Sequence, residues 1–154
     1  MRNRSGLVLL MTLLFGFTLL LLFSSMVQGA ISLARLERSH LLSLESYYLS
    51  ESGVTYATHL GKNYPSQWAA LPSFPLPSSL NTDAVKVALL ALPTPSFFYP
   101  MGGGAFQIIK KQGENRFYTV GFGGDSPKGV SGRTFFSVTY KTQPSFQILT
   151  REML

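Results

Sequence analysis

The sequence predicts an α+β protein in which one long N-terminal helix packs on a small antiparallel β-sheet. Three observations carry that prediction. Residues 7–23 (LVLLMTLLFGFTLLLLF) form an uncharged, proline-free apolar run. Residues 31–60 contain no proline and favour helix. From 105 onward, four short runs rich in β-branched and aromatic residues alternate with turn-forming residues.

The apolar run comes first. With its weaker continuation to Val27 it reaches the roughly 20 residues a helix needs to cross the hydrocarbon core. A helix buried in a small soluble domain has no reason to be apolar on every face for so long. Arg2 and Arg4 precede it, which by the positive-inside rule holds the N-terminus in the cytoplasm and places the remainder outside. A cleaved secretory signal is the competing reading, with Val27 and Gly29 as the small residues before a cut near Ala30 or Ile31. The run is longer than the ~7–15 apolar residues of such signals and leads into more helix, which favours a retained anchor.

The second stretch is amphipathic. At about 100° per residue, Leu33, Leu36, Leu41, Leu44, Tyr47, Tyr48 and Val54 share one arc, while Arg35, Ser39, Ser43, Ser46 and Ser50 lie on the other side. Gly53 is either a weak point or a place of close packing. Gly61, Asn63 and Pro65 supply the stop. Helix 7–60 thus divides into a membrane-spanning part, 7–27, and an amphipathic part, 28–61. The apolar arc is expected to cover the sheet.

Residues 62–154 form the remaining domain. PSQWAALPSFPLPSSL (65–80) reads as an irregular connection. Ala84–Leu92 fits a helix or a strand. Pro93, Pro95, Pro100 and Gly102–Gly104 break the chain again. The runs 105–111, 116–122, 134–140 and 145–151 are expected strands, joined by turns at 112–115, 123–132 and 142–144; such short links suit an antiparallel meander.

Composition narrows the function. With 154 residues there is room for one membrane segment and one small domain. The chain has no cysteine, which removes disulfides, thiolate metal sites and cysteine nucleophiles. The net charge of +6 is spread thinly, and residues 64–154 carry only a mild basic excess. DNA as a partner has no further support, since no aromatic–basic platform stands out. His40 and His59 are too few and too far apart for a metal site. Gly102–Gly104 and the GFGGD segment at 121–125 resemble phosphate loops but precede no helix and lack a following GKS or GKT, so they read as turns. No catalytic grouping is present, and no cofactor is implied. Glu51 is the charged residue nearest the middle of the apolar arc. Either it bonds locally to a Ser or Tyr, or it is an acid that keys the domain or a neighbouring helix into register.

Taken in order, these parts resemble the type IV pilin-like proteins. RSGLVLLMTLL (4–14) is similar to the basic-Gly-apolar junction of a prepilin leader, here residues 1–6, with cleavage between Gly6 and Leu7. YYLSESGVTYA (47–57) is similar to the Ala-Glu-(Ala/Ser)-Gly stretch on the helix of many minor pilins, with Glu51 and Gly53 in the matching places. The resemblance covers residues 1–60. Major pilins carry a glutamate five residues into the mature chain, where Met11 stands here. It therefore implies a non-enzymatic minor pilin or pseudopilin that initiates, caps or decorates a pilus, type II secretion or competence filament. Its implied partners are other pilin-like subunits through Met11, Glu51, Gly53 and the rest of the helix, together with the membrane, the assembly platform and the prepilin peptidase. A membrane-anchored or secreted binding domain unrelated to filaments, and an exported enzyme, are the alternatives.

Overall fold

The computed structural model describes residues 3–77, 81–92, 98–124 and 132–154. Arg2, the end of the 65–80 connection, the breaks at Pro93 and Pro95, and the middle of the 123–132 turn lie outside the described residues.

Helix α1 runs from Asn3 to Asn63. No proline interrupts those 61 residues, and the helix ends where Pro65 forces the preceding Tyr64 out of helical geometry (φ −134°, ψ 63°). The chain divides into two compact units, residues 1–38 and 39–154. In the first, every described side chain from Gly6 onward is exposed. Helix α1 is long and apolar enough to cross a membrane.

In the second unit α1 packs on a six-stranded sheet of β1 (Ser73–Phe74), β2 (Phe98–Met101), β3 (Gly104–Lys111), β4 (Arg116–Phe122), β5 (Arg133–Lys141) and β6 (Gln147–Met153). The order is β1-β3-β4-β5-β6, with β2 pairing to β3 beside β1. The expected meander is present as β3 to β6, all antiparallel. The sheet as a whole is mixed, because β1 pairs parallel to β3. A parallel pair needs a long crossover, and the stretch from Phe74 to Gly104 provides it. Pro100 lies in β2 at the margin of the sheet, where a missing N–H is tolerated.

Two further helices follow, one correcting the sequence reading and one resolving it. Pro65–Ala70, expected to be irregular, is a short helix α2 with proline in its first turn. It buries Trp68 edge-on against Phe117, Tyr140 and Phe146. Thr82–Ala91 is helix α3, and the ambiguity there is resolved by Asn81, whose side chain accepts a 3.0 Å bond from the Ala84 N–H. The sheet therefore has a core on each face. One lies under α1 and α2 around Leu49, Ala57, Trp68, Phe117 and Val138. The other lies under α3, where Val85 and Leu89 cover Ile109, Tyr118 and Val120.

Candidate functional site

The face that α1 turns to the sheet differs from the one its hydropathy suggests. Buried positions are Ser46, Leu49, Ser50, Gly53, Val54, Ala57 and Leu60. Ser46 and Ser50, assigned by pattern to the polar side, are fully enclosed. Of the proposed apolar arc only Val54 is buried; Leu41 is 61 % and Tyr48 60 % exposed. The contact face is rotated from the apolar arc by about 140°, nearly two fifths of a turn, at ~100° per residue.

Size explains the rotation. At Gly121 of β4 an added Cβ would strike the Ser46 carbonyl oxygen, and at Gly132 it would strike that of Leu42. At Gly123 it would lie 2.5 Å from the Leu42 oxygen. Helix backbone thus rests on sheet backbone, which only small residues permit on either side. Gly121 and Gly123 belong to the segment read as a turn, so their role is close approach to α1. Gly53 serves the same contact from the helix side, 3.1 Å from Phe106 and 3.2 Å from Thr119 on the same measure. Gly61 stands within α1 instead of ending it, where a Cβ would enter the Phe146 ring.

The buried serines are satisfied across the seam. Ser50 Oγ donates to the Thr119 carbonyl at 3.1 Å, and Thr119 Oγ1 donates to the Ser50 carbonyl at 3.0 Å. Ser46 Oγ bonds the Ser43 carbonyl and lies 2.8 Å from Thr134 Oγ1. Such reciprocal bonds offset the desolvation of hydroxyls that water no longer reaches.

Glu51 has a partner that sequence spacing did not reveal. Its Oε1 accepts from Arg151 Nη1 of β6 at 3.0 Å, and the guanidinium lies 4.2 Å from the Phe136 ring. The carboxylate is 40 % exposed, so this is a surface pair and not a buried key. Sequence alone offered no signal for it, because the partners are a hundred residues apart. A second acid, Glu45, accepts from the Gly124 N–H at 3.1 Å and fastens the end of β4 to the helix.

Above this seam is an open groove of about 650 Å³ lined by Tyr48, Glu51, Ser52, Thr55, Tyr56, His59, Met101 and Phe106. Tyr99 stacks on Phe106 and packs against Tyr56. Burial, with the Tyr56 phenol beside it, raises the Tyr99 hydroxyl above its ordinary pKa. His59 Nδ1 lies 2.9 Å from Asn63 Nδ2, and the Ser52 and Thr55 hydroxyls donate to helix carbonyls. Among the described residues no three His, Asp or Glu are grouped to hold a metal.

The remaining predicted residues, Gly6, Leu7 and Met11, are on the N-terminal part of α1. An added Cβ at Gly6 meets nothing within 4 Å; Leu7 is 62 % and Met11 60 % exposed. Leu7 and Met11 line one shallow apolar surface with Val8, Leu14 and Phe15. Glu51 and Gly53 belong to the other unit, so the structure forms no single site from all five. Neither the family models, nor the curated proteins, nor the solved structures compared with this chain match it.

Proposed function

We propose that the chain is a minor pilin or pseudopilin, a non-enzymatic subunit that helps initiate, cap or decorate a pilus-like filament. Residues 7–27 anchor it in the cytoplasmic membrane with the N-terminus inside and residues 62–154 outside, and cleavage falls between Gly6 and Leu7. Helix α1 then packs against other pilin-like subunits.

The observation that carries this reading is the division of α1 within the folded domain. The sheet takes the side with small residues and leaves Leu41, Leu44 and Tyr48 in contact with solvent. Burying a fully exposed large apolar side chain contributes about 1.5–3 kcal/mol, so these three, about half exposed, forgo roughly 3 kcal/mol in the isolated subunit. A neighbouring helix recovers it.

Mass spectrometry of the N-terminus in the native membrane tests the reading. A chain beginning at Leu7, with processing lost in Gly6→Leu, is expected. A chain beginning near Ala30 or Ile31 eliminates it. That outcome supports the second reading, a secreted binding domain, which the groove beside Glu51 favours.

A further inference from the structure

The two faces of the sheet treat their buried polar groups differently. On the α1 face the enclosed hydroxyls of Ser46, Ser50 and Thr119 all find partners across the seam. On the α3 face Tyr118 Oη and Gln107 Nε2 are enclosed and make no hydrogen bond. Both residues belong to that face by the alternation of the strands. Tyr118 opposes Ile109 and Gln107 opposes Val120, and Ile109, Tyr118 and Val120 lie in the core under α3. Buried polar groups are ordinarily bonded to protein or to water, and one left without either is costly. Neither atom is open to a water molecule in this arrangement.

The helix over that face is also the least firmly attached. α1 is joined to the sheet by the Ser50–Thr119 bonds and the Glu51–Arg151 pair, and α2 by Lys110 Nζ, which donates to the Trp68 carbonyl at 3.1 Å. Among the described residues no hydrogen bond or ion pair joins α3 to the sheet. Its hold is apolar and rests on Val85 and Leu89, while Val87 is 68 % and Leu90 40 % exposed. The capping bond from the Ala84 N–H to Asn81 is local. A helix of ten residues is too short to be stable by itself in water, so α3 keeps its form only while docked.

We propose that α3 is a lid, which leaves the sheet as a unit while β3, β4 and β5 stay paired under α1, and that hydration of Tyr118 and Gln107 drives its opening. Closing buries Val85 and Leu89 but strips water from two groups that the closed face does not satisfy. Opening returns that water and gives up the apolar contacts. At the α1 seam burial and bonding act together; under α3 they oppose each other. The core beneath α1 is untouched by the opening, so the domain keeps its fold. What is uncovered is an apolar floor of Ile109, Val120 and Phe135 with Tyr118, Gln107 and Ser137 as its polar groups.

Native-state hydrogen exchange of the full chain in detergent micelles tests the lid, read at residues 86–91 of α3 and at β4 over rising denaturant. The α3 amides are expected to open at lower free energy than those of β4 and with little dependence on denaturant, since little surface is exposed. Tyr118→Phe removes the unpaired oxygen, keeps the ring, and is expected to slow the α3 amides about tenfold. Gln107→Met should act in the same direction. Ser50→Ala weakens the opposite seam and is expected to speed exchange in β4 while leaving α3 unchanged. Equal opening energies and equal denaturant dependence at α3 and β4 overturn the proposal, because the helix then leaves only when the domain unfolds. If Tyr118→Phe and Gln107→Met leave the α3 amides unchanged or faster, hydration does not drive the opening and the proposal also fails. Acceleration of α3 together with β4 in Ser50→Ala removes the independence of the lid and overturns it equally. The outcome does not depend on where the N-terminus is cut.

Discussion

Two stretches of one helix use their residues in opposite ways. Between Leu7 and Phe23, α1 is apolar around its whole circumference and every side chain is exposed. Between Ser46 and Leu60 it buries Ser46, Ser50, Gly53 and Ala57 beside Leu49, Val54 and Leu60, while Tyr48 stays outside. In the first stretch hydropathy alone describes the helix, because its length and apolarity are what suit it to crossing a membrane, and that makes no demand on shape. In the second the partner is another backbone, and the distance of approach decides which residues turn inward. Hydropathy finds the surroundings of a helix more readily than the face it turns to a sheet.

The widest gap between the two stretches is expected from their glycines. Gly121→Val drives a side chain into the Ser46 carbonyl and should cost about 4 kcal/mol or more, at the upper end of overpacking effects. Gly16→Ala, in the first stretch, meets nothing within 4 Å. It should leave stability unchanged or add up to about 1 kcal/mol of helix preference. Thermal unfolding in micelles, followed by the fluorescence of Trp68, the chain's single tryptophan, reads both. Equal effects at the two positions would remove the distinction between the stretches.

The serines give the next largest effects. Ser50→Leu forces a branched side chain onto Thr119 and should cost about 3 kcal/mol. Ser50→Ala loses the reciprocal bond without adding bulk and should cost about 1 kcal/mol. Leu41→Ser, on the exposed side, should change stability by less than about 0.5 kcal/mol, while weakening association with other subunits if the proposed function holds. A Leu41→Ser chain that unfolds as readily as Ser50→Leu would place the contact face back on the apolar arc.

How much was legible follows the same division. The four strand runs were readable because short turns and β-branched pairs are local signals: the expected 116–122 is β4, and the expected 134–140 lies within Arg133–Lys141. The long helix was readable because nothing between Asn3 and Asn63 breaks it. The identity of its buried face was not, since Ser46 and Ser50 look polar until Gly121 and Thr119 are brought beneath them. Helix α2 was hidden because Pro65 reads as a breaker although it opens a helix equally well. The parallel β1–β3 pair joins residues more than thirty positions apart (Ser73 with Lys110), and no local pattern records such a partner. Glu51 neither bonds to a nearby Ser or Tyr nor acts as a buried acid, the two readings its position suggested, because its partner Arg151 is a hundred residues away in sequence.

A weaker contact than the seam is the ion pair between them. With both side chains about a third or more exposed, the ion pair should contribute under about 1 kcal/mol and fade at high salt. Glu51→Gln and Arg151→Ala should not be equivalent, however. The glutamine variant loses the charge pairing and leaves the guanidinium over Phe136, whereas the alanine variant also removes that contact, with about 0.5–1 kcal/mol attached to it. A double-mutant cycle with Phe136→Leu separates the two contributions. Raising the salt concentration should shrink the Glu51 effect and leave the coupling between Arg151 and Phe136 largely in place. If both fade together, Arg151 is held by charge alone, and its inward position becomes a property of low salt.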